Sequence, residues 1–318
     1  MLDTERLPLA TTNTLIIPSR FNGPAGVGNG GYVCGRIAAY IDGPATVTLR
    51  RPPPLETPME IERDSEGPVR VRHGRTLIGE AAPAPFGPLE IAVTVSPAQA
   101  DAAAGSARYF TDPLFPDCFV CGINRRAGDG LRIFPGPVTG LGLWAAPWTP
   151  DPSVAGPDGR VRAEMVWAAL DCPSGIAAAE AAGLGHGPER DTAILLGRMT
   201  AIILADRPAA GDRCRVIAWP QRRDGRKLTA GSALLGSGGE VLALAEAVWL
   251  TVPRPGPAPA AGAAQAGGAR CPRGAAAWRS RRWRPDGMSS SGPPCSPTSW
   301  GTRRSRCRRA GAWTRPPC

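Results

Sequence analysis

Residues 21–42 read FNGPAGVGNGGYVCGRIAAYID, a glycine-rich turn that runs directly into an apolar segment. Within that segment the apolar side chains recur at intervals of three and four, at Val33, Ile37, Tyr40 and Ile41. This spacing places them on one face of a helix, and such a face must be buried. The stretch therefore predicts one buried helix that is preceded by a glycine turn.

Short strands are predicted around this helix. Residues 59–62 and 69–72 alternate apolar and charged side chains, which is the pattern of a strand with one face on a core and one in water. Further strands are expected at 14–17, 46–49, 76–81 and 89–95. Residues 97–108, PAQADAAAGSAR, have the composition of a linker.

The second half of the chain repeats this plan. Residues 161–183 contain the apolar segment MVWAAL and then DCPSGIAAAEAAG, which predicts a helix that starts near Asp171. Strands are expected at 131–134, 141–145, 194–204, 213–219, 227–235 and 241–252. The segment at 77–81 also matches the one at 244–247 in register, and an internal repeat of this length indicates two copies of one domain.

These stretches carry a resemblance to a known family. The segment GNGGYVCG in the first half, and VWAALDCPSG, PAAGDRCRVIAW and RRDGRKLTAGSALLGSGGEVLALAEAVW in the second, resemble the double-hotdog relatives of acyl-CoA thioesterases over about residues 13–253. The resemblance implies an α+β fold of two tandem hotdog domains, each an antiparallel sheet wrapped around a central helix. It also implies an acyl-CoA or acyl-carrier thioester as substrate, with no cofactor.

The resemblance further assigns roles at the first helix. Thioester hydrolysis needs a carboxylate that activates water and backbone N–H donors for the oxyanion. In the family these donors lie at the start of the central helix, which Gly30, Gly31 and Tyr32 occupy here. Asn29 stands where many members have His or Asp, and an amide orients a water or carbonyl but accepts no proton at neutral pH.

Asp171 is the best candidate for the catalytic carboxylate. Two interpretations of it stay open, because Asp before Cys-Pro-Ser is also typical of a helix N-cap, whose hydrogen bonds would lower its pKa. Glu164 is a second candidate acid. His186, in a glycine-rich loop, and His73, in a turn, are expected to be solvated residues without a catalytic role.

Two further motifs admit other functions. Cys118 and Cys121 form C-x-x-C, which is half of a zinc site, but no second pair lies near in sequence. We therefore expect no metal and a loop packed beside the acyl pocket; a dithiol switch rests on the spacing alone. The run at 26–31 satisfies G-x-G-x-x-G, yet a dinucleotide site requires a strand directly before it, and here residues 18–24 intervene.

The positive charge of the chain is confined to its end. Residues 254–318 hold thirteen arginines and one acidic residue, whereas residues 1–253 hold 24 basic and 26 acidic ones. After Val252 there is no Val, Leu, Ile, Phe or Tyr, so we expect this tail to be disordered. An Arg/Trp arm for RNA or membrane and an out-of-frame translation of a GC-rich gene both account for its composition.

Together these observations predict four segments: an N-terminal hotdog domain at 1–100, a linker with the CFVCG loop at 101–130, a C-terminal hotdog domain at 131–253 and the tail. Hydrolysis of acyl thioesters is the predicted activity, and a non-catalytic acyl-thioester or lipid-binding protein is the alternative. The N-terminus lacks the apolar core of a signal peptide, and the body cysteines read as reduced thiols, so a cytoplasmic protein is expected. We expect no nucleic-acid or membrane partner, and a homodimer is plausible from the family.

Overall fold

The computed structural model describes residues 14–63, 67–85, 94–184, 191–204 and 206–254. Most of the predicted strand at 89–95, His186 and the tail after Arg254 lie outside the described residues. Within the described part, eleven strands form a single sheet whose neighbouring strands are antiparallel. The described residues also contain three α-helices, which pack on this sheet.

The elements divide into two groups along the chain. The first contains β1 (Thr14–Leu15), α1 (Gly30–Ala38), β2 (Ala45–Leu49), β3 (Met59–Glu62), β4 (Val69–His73) and β5 (Thr76–Pro83). After α2 (Pro97–Gly105), the second contains β6 (Gly136–Val138), β7 (Leu143–Trp148), α3 (Ala163–Ala181), β8 (Thr192–Ile203), β9 (Cys214–Asp224), β10 (Lys227–Leu235) and β11 (Val241–Pro253). The helix after the glycine turn is confirmed, and so are most of the predicted strands.

The two groups of strands share one order. The sheet reads β1-β3-β4-β5-β2-β8-β11-β10-β9-β7-β6. When the strands of the first group are numbered along the chain, they lie in the sheet in the order first, third, fourth, fifth, second. The run β7-β9-β10-β11-β8 has the same order, with β6 added at its outer edge. Along the chain, the helix of each group lies between its first and second strands, α1 between β1 and β2 and α3 between β7 and β8.

The groups join where β2 pairs with β8. At this junction Thr46 lies opposite Thr200, and their hydroxyl oxygens are 2.7 Å apart. Because this pairing is backbone hydrogen bonding between strands, the two groups share one continuous sheet. The result is a large antiparallel sheet with few helices, consistent with a hotdog-like fold.

The helices α1 and α3 pack directly on each other. A Cβ on Gly31 would lie 2.4 Å from the Cβ of Asp171, and a Cβ on Gly35 would lie 2.6 Å from the Cα of Glu164. The absence of side chains at both glycines lets the helices approach this closely. Since the earlier glycine meets the later acid, α1 and α3 run antiparallel.

The start of the second helix differs from the prediction. Helix α3 begins at Ala163, so the segment MVWAAL and Asp171 both lie inside it, and Asp171 is not an N-cap. Pro173, predicted to belong to a helix start, occupies the helix interior, where it lacks an N–H to donate. Ser232 and Ser174 donate hydroxyl hydrogen bonds to the carbonyls of Leu170 and Asp171, which stabilises the turn around the proline.

The predicted linker at 97–108 is also wrong over most of its length, because α2 covers Pro97–Gly105. Ser96 and Gln99 form a capping box, and Pro97 stands at the first helical position. Buried alanines of α2 pack against alternate residues of β7, Leu143 and Ala145, whereas the intervening residues face the cluster that contains α3. The two helices therefore cover opposite faces of the second group of strands.

The predicted strand at 131–134 is not a strand. Arg132 has φ +55°, which breaks an extended run, and the backbone N–H groups of Leu131 and Ile133 bond instead to the carbonyls of Phe119 and Val120. This pairing holds the CFVCG loop against the segment before β6. None of the helices in the described ranges is both long and apolar enough to cross a bilayer.

Candidate functional site

An apolar pocket opens at the N-terminus of α1. Its cavity volume is about 200 Å³, and it lies between that helix end, the middle of α3 and the strands β8 and β11. The walls are formed mainly by aliphatic and aromatic side chains, with Ile176 on α3, Ile194 and Leu196 on β8, and Trp249 and Leu250 on β11. Such a lining suits a hydrocarbon chain.

The start of α1 forms the polar end of this pocket. Asn29 caps the helix, because its Oδ1 accepts a hydrogen bond from the Tyr32 N–H at 2.9 Å. Gly30 lines the pocket, and a Cβ there would lie 2.9 Å from the Leu196 side chain. Among the described residues no group accepts a hydrogen bond from the Gly30 N–H. This N–H is therefore available, at the positive end of the helix dipole, for an oxygen of a ligand.

Asp171, on α3, lies next to this helix end and lines the pocket. Its side chain is buried, and Oδ2 accepts a hydrogen bond from Asn29 Nδ2 at 2.9 Å. Oδ1 has no hydrogen-bond partner of normal geometry among the described residues. Burial raises the pKa of Asp171 to about 7, against the opposing hydrogen bonds of the Gly31 N–H and Asn29. A buried carboxyl group with these properties is suited to accept a proton.

Three cysteines lie beside Asp171. The sulfurs of Cys118, Cys121 and Cys172 all lie within 4.8 Å of one another, and all three residues line the pocket. Contacts from Cys121 and Cys172 lower the pKa of Cys118 well below its ordinary value. The same contacts with Cys118 raise the pKa of Cys121 and of Cys172. One thiol of the group is thus favoured as the anion.

The mouth of the pocket carries positive charge. Arg50 and Arg51 follow β2 directly, are exposed, and line the pocket together with Pro52 and Pro53. Arg50 is paired with Glu80 at 2.5 Å, whereas Arg51 donates to the Arg50 carbonyl and is exposed. Two exposed guanidinium groups, one of them paired with Glu80, thus lie beside an apolar pocket.

The structure brings four of the predicted site residues together, Asn29, Gly30, Gly31 and Asp171. Tyr32 lies in the core instead, with its ring stacked on Phe21 at a centroid distance of 3.9 Å. Glu164 lies about two turns before Asp171, beside Gly35, in an ion pair with Arg162 at 3.1 Å. Neither Tyr32 nor Glu164 lines the pocket.

Several functional residues were missed in the sequence. Cys172 was visible beside Asp171, but its partners Cys118 and Cys121 lie more than fifty residues earlier, and only the fold joins them. Trp249 packs on α3, where a Cβ on Gly175 would lie 2.7 Å from its ring. Its indole N–H donates to Ser174 Oγ at 3.0 Å, which in turn donates to the Asp171 carbonyl. This chain of hydrogen bonds fixes the helix behind the carboxylate.

No family model and no curated protein sequence matches the chain. Among solved structures, it is similar to the tesB protein of Mycobacterium avium subs paratuberculosis, at 15% identity and a TM-score of 0.47 over 76% of this chain and 92% of that one. It is also similar to a thioesterase from Haemophilus influenzae, at 14% identity and a TM-score of 0.34 over 42% of this chain and 85% of that one. The E. coli PaaI protein from the phenylacetic acid degradation operon matches at 12% identity and a TM-score of 0.34, covering 41% and 86%. The solved structures similar to this chain thus include thioesterase-superfamily proteins, at low identity and with partial coverage.

Proposed function

We propose that this protein is a tandem hotdog protein that hydrolyses acyl thioesters, with Asp171 as the base. The observation that carries the proposal is the meeting of the Asp171 carboxylate and the free Gly30 N–H at the polar end of an apolar pocket. Hydrolysis of a thioester needs these two groups in one place, a proton acceptor for water and a donor for the oxyanion. The strand order shared by the two groups of strands supports the tandem arrangement.

In this proposal the acyl chain lies along Ile194, Leu196 and Trp249, with its thioester carbonyl at the start of α1. The Gly30 N–H donates to the carbonyl oxygen, where negative charge develops when water adds to the carbon. Asp171 takes the proton of that water as the new C–O bond forms. The tetrahedral intermediate then expels the thiolate, the C–S bond breaks, and the proton passes from Asp171 to the sulfur. The products are a carboxylic acid and a thiol.

Asn29 acts in this scheme as a positioning residue. One end of its amide caps α1 and the other donates to Asp171 Oδ2, so a single side chain fixes the helix N-terminus relative to the carboxylate. In this scheme Oδ1, which makes no hydrogen bond of normal geometry among the described residues, takes the proton of the water. The two roles explain why an amide suffices at a position that is not itself the proton acceptor.

The mouth favours a thioester whose leaving group is anionic. Arg50 and Arg51 stand where the thiol portion of a bound acyl-CoA or an acyl-carrier thioester would leave the pocket. Attraction between exposed charges is screened by salt. A rise in KM for acyl-CoA with ionic strength, without such a rise for an uncharged thioester of the same acyl chain, is therefore expected.

The test is release of free thiol by the full chain from acyl-CoAs of short, medium and long chain length, with binding of each measured in parallel by calorimetry. Turnover that depends on chain length supports the proposal. Tight binding of acyl-CoA without release of thiol at any chain length would overturn the hydrolase and favour the non-catalytic acyl-thioester-binding protein. If the chain neither binds nor hydrolyses any of the acyl-CoAs, both the hydrolase and the acyl-thioester-binding protein are ruled out.

A further inference from the structure

The three thiols at the pocket floor have the arrangement of metal ligands. Cys118 and Cys121 come from the loop before β6, and Cys172 comes from the middle of α3. The Sγ atoms of Cys118 and Cys172 are 3.7 Å apart, and all three sulfurs lie within 4.8 Å of one another. For Zn–S bonds of about 2.3 Å, tetrahedral geometry places neighbouring sulfurs about 3.8 Å apart. The observed separation therefore needs little adjustment to hold an ion.

The loop has a backbone that is suited to such a site. C-x-x-C-G closes a tight turn in which the Gly122 N–H donates to the Cys118 carbonyl at 2.8 Å. A Cβ on Gly122 would lie 2.4 Å from that carbonyl oxygen, so only glycine fits there.

Polar groups next to the sulfurs would offset part of the negative charge that thiolate ligands carry. Asn29 Nδ2 lies 4.0 Å from the Cys118 sulfur and 3.8 Å from that of Cys172, within the range of N–H···S contacts. The N-terminus of α1, whose dipole favours negative charge, lies at the same place. The second half of the chain contributes Cys172 next to Asp171, whose Oδ2 is 4.0 Å from the Cys172 sulfur. The amide of Asn29 and the carboxylate of Asp171 thus lie side by side next to the sulfurs.

We propose that Cys118, Cys121 and Cys172 bind one thiophilic divalent metal ion, with Zn²⁺ as the expected occupant, and leave its fourth coordination position open toward the pocket. Three protein ligands and one open position are typical of zinc sites that contact a ligand or water, whereas closed structural sites use four. All three cysteines line the pocket, so the open position faces the space that a bound molecule would occupy. The ion would also tie the CFVCG loop to α3.

This proposal does not depend on thioester hydrolysis, because metal binding is measured without turnover. The test uses the full chain with the four cysteines after residue 254 replaced by Ser, purified under reducing conditions. Metal content is measured directly, and the chain is then titrated with Co²⁺. We expect about one zinc per chain, and thiolate-to-cobalt charge-transfer and tetrahedral d–d bands that saturate at one equivalent.

Three variants and a matched control locate the site. Cys118→Ser, Cys121→Ser and Cys172→Ser should each lose the stoichiometric zinc and the charge-transfer intensity. Cys214→Ser removes another buried cysteine, outside the cluster, and should keep both. Cadmium NMR on the unsubstituted ligand set counts the thiolate ligands by chemical shift, and so reads the site even where a variant does not fold.

The overturning results are equally specific. A chain that binds neither Zn²⁺ nor Co²⁺ at one equivalent, a cadmium shift without three thiolates, or three variants that bind as the control does would each remove the site. Recovery of a Cys118–Cys172 disulfide from protein purified without oxidant would do so as well, since those sulfurs would then be bonded to each other.

Discussion

The helices α1 and α3 hold corresponding places in the two strand orders, but their N-termini differ. The N-terminus of α1 is capped by Asn29 and opens on the pocket. That of α3 has no side-chain cap, and Arg162 before it pairs with Glu164 in its first turn. The first turn of α3 does not line the pocket.

This difference shows how a repeated fold becomes an asymmetric site. The first half supplies a helix N-terminus with a free Gly30 N–H, and the second half supplies a carboxylate in the middle of a longer helix. Because α1 and α3 run antiparallel, the start of α1 meets Asp171, whereas Gly35 meets Glu164. Both acidic residues pack against a glycine of α1, yet only Asp171 lines the pocket.

The close approach of Gly31 to Asp171 joins α1 and α3 beside the pocket. Gly31→Ala would put a Cβ 2.4 Å from the Asp171 Cβ and 2.7 Å from the Trp167 carbonyl oxygen, which forces the helices apart. We expect a loss of about 2 kcal/mol in the free energy of unfolding, together with loss of turnover. The midpoint of urea unfolding measures the first. Gly105→Ala at the end of α2, where a Cβ meets nothing within 4 Å, should leave both unchanged.

Capping separates the structural role of Asn29 from its role in the site. Asn29→Ala and Ser96→Ala each remove a side-chain cap, so each should lower the free energy of unfolding by about 1 kcal/mol. Asn29→Ala should also lower kcat about 10-fold or more, because Asp171 loses the donor that positions it. Equal losses of stability with equal kcat in the two variants would show that Asn29 is only a cap.

Substrate selection should change when the pocket wall is cut back. Leu196→Ala removes side-chain atoms next to Gly30 and lengthens the space for an acyl chain. The ratio of kcat/KM for a longer acyl chain to that for a shorter one should rise by about 5-fold. The reason is that each added methylene packed in an apolar pocket contributes about 1 kcal/mol to transition-state binding. Ile202→Ala, on the same strand but outside the pocket, serves as the control. A ratio that changes equally in both would place the acyl chain elsewhere.

Much of the fold follows from local patterns in the sequence. Alternation at 59–62 and 69–72 and the 3–4 spacing after the glycine turn identified strands and a helix that the structure contains. The errors arose where a local rule competes with packing. Pro173 suggested a helix start, but serine hydroxyls at neighbouring carbonyls let the helix continue through it. At 97–105, Ser96 and Gln99 carry the capping-box signal of a helix start, but the small residues of the segment favoured the prediction of a linker.

The site could be predicted only in part, because its residues meet through contacts between distant parts of the sequence. Asn29, Gly30 and Asp171 stand out because their residue types suit a known chemistry at a helix start. The position of Asp171 inside its helix, its pairing with Asn29 and the cysteine cluster all depend on contacts across more than fifty residues. No spacing within the sequence encodes those contacts. The same limit applies to Glu164, whose place beside Gly35 is set by the antiparallel packing of α1 and α3.

The most direct test of the account compares the two carboxylates of α3. Asp171→Asn and Glu164→Gln each convert a carboxylate into its amide on the same helix, about two turns apart. With saturating acyl-CoA, Asp171→Asn should lower kcat by about 100-fold or more, whereas Glu164→Gln should leave it within about 2-fold because Glu164 pairs with Arg162 and does not line the pocket. Folding of both variants is checked by their unfolding midpoints. Unchanged kcat in a folded Asp171→Asn protein would contradict the account.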